Sequence, residues 1–453
     1  MGWPENADLK RLSEEGLLAY NTADYRQALT TWQQGLELAK KSGSRPAEAD
    51  FLSNLGLVYD ALSHYDRSLE YHHQALALHR ELKDRQGEGH DRNNLGVVYR
   101  HLSQYELALE NHQQALTIYA EIKDRRSEGY ALSELGGVYS NLGQYDKALA
   151  SHQEALAIHR DIGERRGEAF ALGSLGVENM RLGQSDRAIE YHQQALAILR
   201  ELKDRRWEGN ELINLGEVYH DLGQYDQARE YYQQALTIHQ QVKSRRNEGQ
   251  ALSDLGWVCR DLNQQEQALS CLQQALAIKR EIKDRVDEGD DLTKLGLVYL
   301  ELGRYDQALK TLQEGLKVCQ EVGAPELLWR AQRGLGAVKV KLASYGEAVE
   351  HYRQALDIIE GLRAGLVSKQ SKSSYMKNKL FVYDELIELL RFLHEKEPSK
   401  GYDRDALEIF ERKQGRLFLE EMGQSGARNF AGLPDQVKSR EKELEDRLDE
   451  LQA

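Results

Sequence analysis

A Leu-Gly pair returns every forty residues along this chain, at Leu55-Gly56, Leu95-Gly96, Leu135-Gly136, Leu175-Gly176, Leu215-Gly216, Leu255-Gly256, Leu295-Gly296 and Leu335-Gly336. Gly16 stands one period earlier, so nine units follow one another without an insertion. Self-similarity at such a period marks a stacked-repeat architecture, in which a unit buries its apolar face only against its neighbours. Counting domains by length, about three for a chain of this size, therefore does not apply.

Within a unit Tyr99 falls three residues after Gly96, and Tyr105, Ala108 and Ala115 follow, repeated as Tyr145, Ala148, Ala155 and as Tyr225, Ala228, Ala235. These spacings place small and aromatic residues along one face of each of two helices, broken at "LGQY". Each unit is thus a helical hairpin, and the fold class is all-α. Gly96 and Ala108 are small where the two helices approach; Ala115 accepts the next unit. Asp84, Asp124, Asp204 and Asp284 are placed as N-caps, and Arg85 with Glu88 recurs through Arg285 with Glu288 as a scaffold pair.

Composition narrows the partners. A net charge of -14 disfavours nucleic acid and anionic membrane, because phosphate binding needs a positive footprint, and favours basic or mixed-charge partners. Cys259, Cys271 and Cys319 form no CxxC pair, so neither a disulfide framework nor a zinc knuckle is indicated. The start, "MGWPENADLKRLSEEG", lacks the apolar core of a signal peptide, and no run of 18 apolar residues occurs. A soluble, cytoplasmic protein is expected.

Leu215, Gly216, Tyr219, Gly223, Tyr225, Ala228 and Ala235 follow an order that resembles the tetratricopeptide repeat, over about residues 9–360. The forty-residue unit, with its lengthened second helix, resembles that of kinesin light chains and Pins-type spindle adaptors. The resemblance implies a right-handed superhelical solenoid of helix-turn-helix repeats whose first helices line a concave groove.

Nine copies provide an internal control: recurring positions are needed for stacking, and varying ones are released from it. On the first helix the position six before the glycine carries Tyr130 and Phe170, the position one after carries Trp257, and four after carries Arg100 and Arg260. Arg181 stands five after Gly176. Aromatic and Arg side chains supply most hot-spot energy in recognition surfaces. Neutral drift on a solvated face is the alternative. Asn54, Asn94 and Asn214, two before their glycines, match positions where resembling arrays hydrogen-bond an extended peptide; Glu134, Ser174, Asp254, Lys294 and Gly334 interrupt that ladder. The expected partner site is therefore a groove containing Asn94, Arg100, Tyr130, Phe170, Arg181, Asn214, Trp257 and Arg260, holding a peptide or protein.

His72, His112, His152 and His192 recur on the second helix, where Tyr232, Leu272, Leu312 and Tyr352 stand later. Successive copies are two helices apart, with neighbouring axes already about 8–10 Å from each other, too far for shared zinc ligation, and the substitutes are packing residues. These histidines are read as core. No Gly-rich phosphate loop, catalytic carboxylate pair or G-x-S-x-G occurs, so no catalysis, cofactor or metal is expected.

After residue 360 the forty-residue beat stops. A polar linker (361–373), a degenerate capping hairpin (374–422) and a charged helix (433–453), with Val437, Leu444, Leu448 and Leu451 in a stripe, are expected. "DIIEGLRAGL", "YDELIELLRFL" and "DALEIFERKQGRLFLEEM" resemble the segment that joins tetratricopeptide arrays to bacterial CHAT proteases. That resemblance implies a second reading: a sensing region whose His and Cys dyad would lie in a domain beyond Ala453.

Overall fold

A computed structural model describes residues 7–22, 24–364, 375–376 and 379–424, with side chains through 415. Among the described residues all regular structure is helical: twenty α-helices and one 3-10 turn. In order they are α1 (Ala7–Asn21), α2 (Tyr25–Ser42), α3 (Arg45–Ala61), α4 (Tyr65–Leu82), α5 (Arg85–His101), α6 (Tyr105–Ile122) and α7 (Arg125–Asn141). Next come α8 (Tyr145–Asp161), α9 (Arg165–Arg181), α10 (Ser185–Glu201), α11 (Arg205–Asp221), α12 (Tyr225–Gln241), α13 (Arg245–Asp261) and α14 (Gln265–Ile282). The last are α15 (Arg285–Glu301), α16 (Tyr305–Val322), α17 (Pro325–Lys341), α18 (Tyr345–Ala364), α19 (Leu380–Lys396) and α20 (Tyr402–Gln424). Most of the expected linker and the charged helix at 433–453 lie outside the described residues.

The chain divides into two compact units, residues 1–251 and 252–453. In the first, each odd-numbered helix packs on the even-numbered helix that follows it, and that helix packs on the next. The first helices α1, α3, α5, α7, α9 and α11 also touch in succession, whereas successive second helices do not approach to the same extent. In the second unit α15–α16, α17–α18 and α19–α20 pair in the same way, and α15 touches α17. There the core of Tyr352, Leu356, Ile359, Tyr383, Leu386 and Leu390 seats α19 on the last forty-residue hairpin. Arg333 clamps Glu385 through two bonds of 2.9 and 2.6 Å, and Arg353 donates to Asp405 at 2.6 Å.

The recurring glycine is one half of a contact whose other half is the histidine ladder. A methyl group added at Gly56, Gly96, Gly136 or Gly176 would lie 2.5–2.6 Å from the ring of His72, His112, His152 or His192. Trp32 fills the same socket at Gly16, Tyr232 at Gly216, Leu272 at Gly256, Leu312 at Gly296 and Tyr352 at Gly336. A second socket, not singled out from the sequence, lies earlier on the first helix, where Gly129 receives His159 and Gly209 receives His239. Interiors are close-packed, so a side chain at either glycine has nowhere to go.

The capping aspartates act as expected: Gly87 and Ser127 N–H donate to Asp84 and Asp124 at 3.1 Å, Trp207 and Asp287 N–H to Asp204 and Asp284 at 3.4 Å. The Arg–Glu pairs reach further than their local spacing implies. Arg85 bonds Glu88 at 2.6 Å and also Glu121 of α6, while Arg80 of α4 bonds Glu88 at 2.8 Å, so the cluster ties three helices together.

Gly136→Leu should cost roughly 1–3 kcal/mol by overpacking against His152. Because His152→Ala empties that same socket, the double variant in urea denaturation should lose clearly less than the sum of the two single losses. Simple additivity would show that the two residues do not share a contact.

Candidate functional site

Six of the eight residues expected in a binding groove lie on neighbouring first helices of the first unit. Tyr130 (α7) and Phe170 (α9) are joined edge to face, with ring centroids 6.4 Å apart at 78°. Phe170 in turn meets Trp207 (α11) at 4.1 Å and 63°. All three rings are half-buried, and such pairs add about 0.5–1.5 kcal/mol beyond their burial. The Tyr130 hydroxyl donates to Glu164 at 3.0 Å, and its ring also meets His159 at 4.8 Å. Burial first, and then the Glu164 carboxylate, raise the Tyr130 pKa.

Trp207 was missed from the sequence. Its position carries Ala47, Gly87, Ser127 and Gly167 in the four preceding units, so an indole among small residues was the available signal. The Trp completes an aromatic run across three consecutive first helices.

Arg100 and Arg181 occupy the opposite ends of these helices. Tyr130 and Ser140 are separated by about 15 Å along α7 at 1.5 Å rise per residue. Arg100 donates from Nη2 to Glu134 at 3.2 Å and lies over Gly137; Arg181 donates from Nη1 to Ser140 at 2.7 Å. Two arginines thus converge on α7 from its two neighbouring first helices. Beside them Glu178 is 3% exposed, and burial raises its pKa against the pull of Ser140 and Arg181.

Asn214 is engaged locally: its Nδ2 donates to Glu211 at 3.4 Å, and Glu211 also pairs with His192 Nδ1 at 2.8 Å. The half-buried Asn94 side chain makes no hydrogen bond to another described residue. The remaining two residues lie in the second unit as a patch of their own. The Arg260 guanidinium stands 4.3 Å from the Trp257 ring centroid and donates to Glu301 at 2.7 Å and Asp261 at 3.2 Å.

The second unit also holds a buried polar cluster. Ser253 Oγ donates to Asp291 at 2.5 Å and accepts from Lys294 Nζ at 2.9 Å, and Lys294 pairs with Asp290 at 2.8 Å. The Ser-Lys contact has the outline of a nucleophile and its base, but the electrostatics oppose that use. Burial would lower the Lys294 pKa, yet Asp290, Asp254 and Asp291 outweigh it and raise it. A lysine held protonated cannot take a proton from Ser253.

The sequence profile of the tetratricopeptide repeat matches residues 52–121, 90–158, 127–201, 210–281 and 292–361, well over half of the chain. The chain belongs to the tetratricopeptide-repeat family. No curated protein matches it as a relative. Among solved structures, a Rap protein complexed with competence and sporulation factor has a TM-score of 0.54 at 16% identity, covering 79% of this chain and 99% of that one. The apo quorum sensor NprR from B. thuringiensis has a TM-score of 0.51 at 16% identity, covering 78% and 99%. A putative kinesin light chain from Podosopora anserina, with nearly identical repeats, is 20% identical over 43% of this chain and 95% of that one, at a TM-score of 0.36. These likenesses are of fold. No helix among the described residues is long and apolar enough to cross a membrane.

The socket histidines make stability pH-dependent. Burial lowers His112 to about 3 and His152 to about 4, with Arg100 and Arg181 adding to the effect. The unfolded chain takes up these protons near pH 6.5, so the stability they hold is complete above 6.5 and falls as the pH drops towards 4, by about 3 kcal/mol for His152. His79 has the opposite sign: burial would lower it, but Asp50 and Asp91 hold it up to about 9, so its contribution is complete below 6.5 and lost by pH 9. Since Leu272 and Leu312 occupy the same socket elsewhere, His152→Leu should fold and shrink the loss of protection between pH 6.5 and 4, read by hydrogen exchange in α7–α10. An unchanged acid limb would assign it to other groups.

Burial raises Asp291 to about 7, against the pull of Lys294 and Ser253. Its contribution is complete below the ordinary carboxylate range and is lost as the pH rises to about 7. Asp291→Asn should therefore raise hydrogen-exchange protection of α15 at pH 8 relative to pH 5; equal protection ratios in the variant and the parent chain would remove Asp291 from that account.

Proposed function

We propose that this chain is a non-enzymatic interaction scaffold that holds a peptide or protein partner against its first helices, in the concave groove of a tetratricopeptide array. The observation that carries the reading is the Tyr130–Phe170–Trp207 run, half-buried aromatic surface at positions whose residue type varies from unit to unit. Rigid aromatic surface is what peptide recognition draws on most. Asn94 has hydrogen-bonding capacity left for a peptide main chain, and Arg100 and Arg181 bring positive charge to the other end of the same helices. Trp257 and Arg260 form a separate contact patch on the second unit. A net charge of -14 favours a basic or mixed-charge partner over nucleic acid. The Rap protein of similar fold was solved with a bound factor, in keeping with this use of the architecture. The setting of the reading is cytoplasmic.

The resemblance of residues 356–453 to segments preceding CHAT domains supports a second reading, a regulatory arm for a protease. An open frame continuing past Ala453 into a His and Cys pair would favour it.

Peptides selected from a random library on the full chain provide the test. Phe170→Ala and Trp207→Ala should each weaken selected peptides by about 2 kcal/mol, roughly thirty-fold, while Ala at the exposed second-helix residues Gln153 and Gln193 leaves affinity unchanged. Equal affinity across all four variants would move the site away from the first helices.

A further inference from the structure

Four successive first helices begin with an arginine pair: Arg125-Arg126, Arg165-Arg166, Arg205-Arg206 and Arg245-Arg246. The first arginine of each pair bonds the glutamate three residues on, Glu128, Glu168, Glu208 or Glu248. The second reaches the residue that begins the next first helix. Arg126 lies 3.6 Å from Glu164, and Arg166 lies 3.0 Å from Asp204. In the next register that residue is Ser244, and no carboxylate among the described residues pairs with Arg206.

A cavity of about 390 Å³ opens at this place. Its walls come from three turns of the first unit: Asn21 and Thr22 after α1, Lys203 to Arg206 entering α11, and Val242 and Ser244 entering α13. Asp204 also lines it, but that carboxylate already accepts from Trp207 N–H and pairs with Arg166. Arg205 is committed to Glu208 and Gln241. The charges left over are those of Lys203 and Arg206, both positive. The shortfall in counter-charge and the cavity are separate observations that coincide.

We propose that this cavity binds a small oxyanion, phosphate or carboxylate, in the role that Asp204 plays one register earlier and Glu164 two registers earlier. A guanidinium presents two parallel N–H donors that match such an ion, and Lys203 adds a point charge. The Asn21 amide and the Ser244 hydroxyl complete a donor set drawn from all three turns, so the bound ion braces the α1–α2 turn against the turns entering α11 and α13. The site lies at the helix-connecting turns and uses none of the groove side chains, although Arg206 directly precedes Trp207 in α11.

The test uses the full chain with inorganic phosphate, sodium acetate and sodium chloride at matched ionic strength, read by thermal melting and titration calorimetry. Phosphate, acetate or both should give a saturable rise in melting temperature that chloride does not, and which of them does so identifies the ion class. Arg206→Gln should weaken that binding by at least about ten-fold, the loss of one charge-assisted pair. Ser244→Asp restores the internal carboxylate, keeps a residue suited to capping, and should abolish ion binding while the chain remains folded. Arg126→Gln, in a register with its own carboxylate, should leave ion binding intact. A response no larger than that to chloride, or one that persists in both Arg206→Gln and Ser244→Asp, overturns the proposal.

Discussion

The close approach of two helices at a glycine, filled by one large side chain from the partner helix, is the contact on which the rest of this protein depends. At Gly136 the ring of His152 takes the space a Cβ would need, and the same geometry recurs from Gly16–Trp32 to Gly336–Tyr352. That pairing fixes how each hairpin closes, and the forty-residue beat runs from Gly16 to Gly336 without an insertion. The filler varies among Trp, His, Tyr and Leu, which shows that volume rather than chemistry is what the socket demands. Histidine meets that demand at an electrostatic cost: His152 Nδ1 and His112 Nε2 are buried without a hydrogen bond.

Once the hairpins are closed, the remaining surfaces divide their work. The helix-connecting turns carry charge, with Arg85, Glu88, Glu121 and Arg80 joining three helices where none of the pairs alone would count for much. The first helices touch one another, and at Tyr130, Phe170 and Trp207 they do so through half-buried aromatic rings whose positions vary in residue type along the array. The arginines on the same layer serve two ends: Arg100 and Arg181 brace neighbouring first helices while lowering the pKa of the socket histidines behind them.

Repeat stacking also keeps electrostatic strain local. Protonation of His112 or His152 acts on the hairpins that hold them, and the raised Asp291 carboxyl acts on α15, since a unit in such an array contacts only its neighbours. The two compact units consequently hold buried groups of opposite sign in their pH response: neutral histidines weakened by acid in the first, a carboxyl weakened by base in the second. Within the first unit His79, faced by two carboxylates, and Glu178, raised by burial, respond to base instead.

The sequence alone determined the all-α class, the hairpin in each unit, the Asp84-type caps and the core role of the His72 ladder, because all of these follow from helical period and from substitutions among aligned copies. Tertiary structure alone decided which residues are partners. That Gly96 and His112 are two halves of one contact depends on the crossing of two helices, and that Arg85 reaches Glu121 as well as Glu88 depends on how a hairpin closes. Phe170 was legible as a variable position, but its contact with Trp207 was not, since the two residues occupy different positions in adjacent units. Asn214 read as a free amide and is held by Glu211 on its own helix, a matter of side-chain direction that spacing does not specify. The cavity beside Arg206 lies furthest from any local reading: Asn21 and Ser244 become neighbours only through the summed rotations of every hairpin between them.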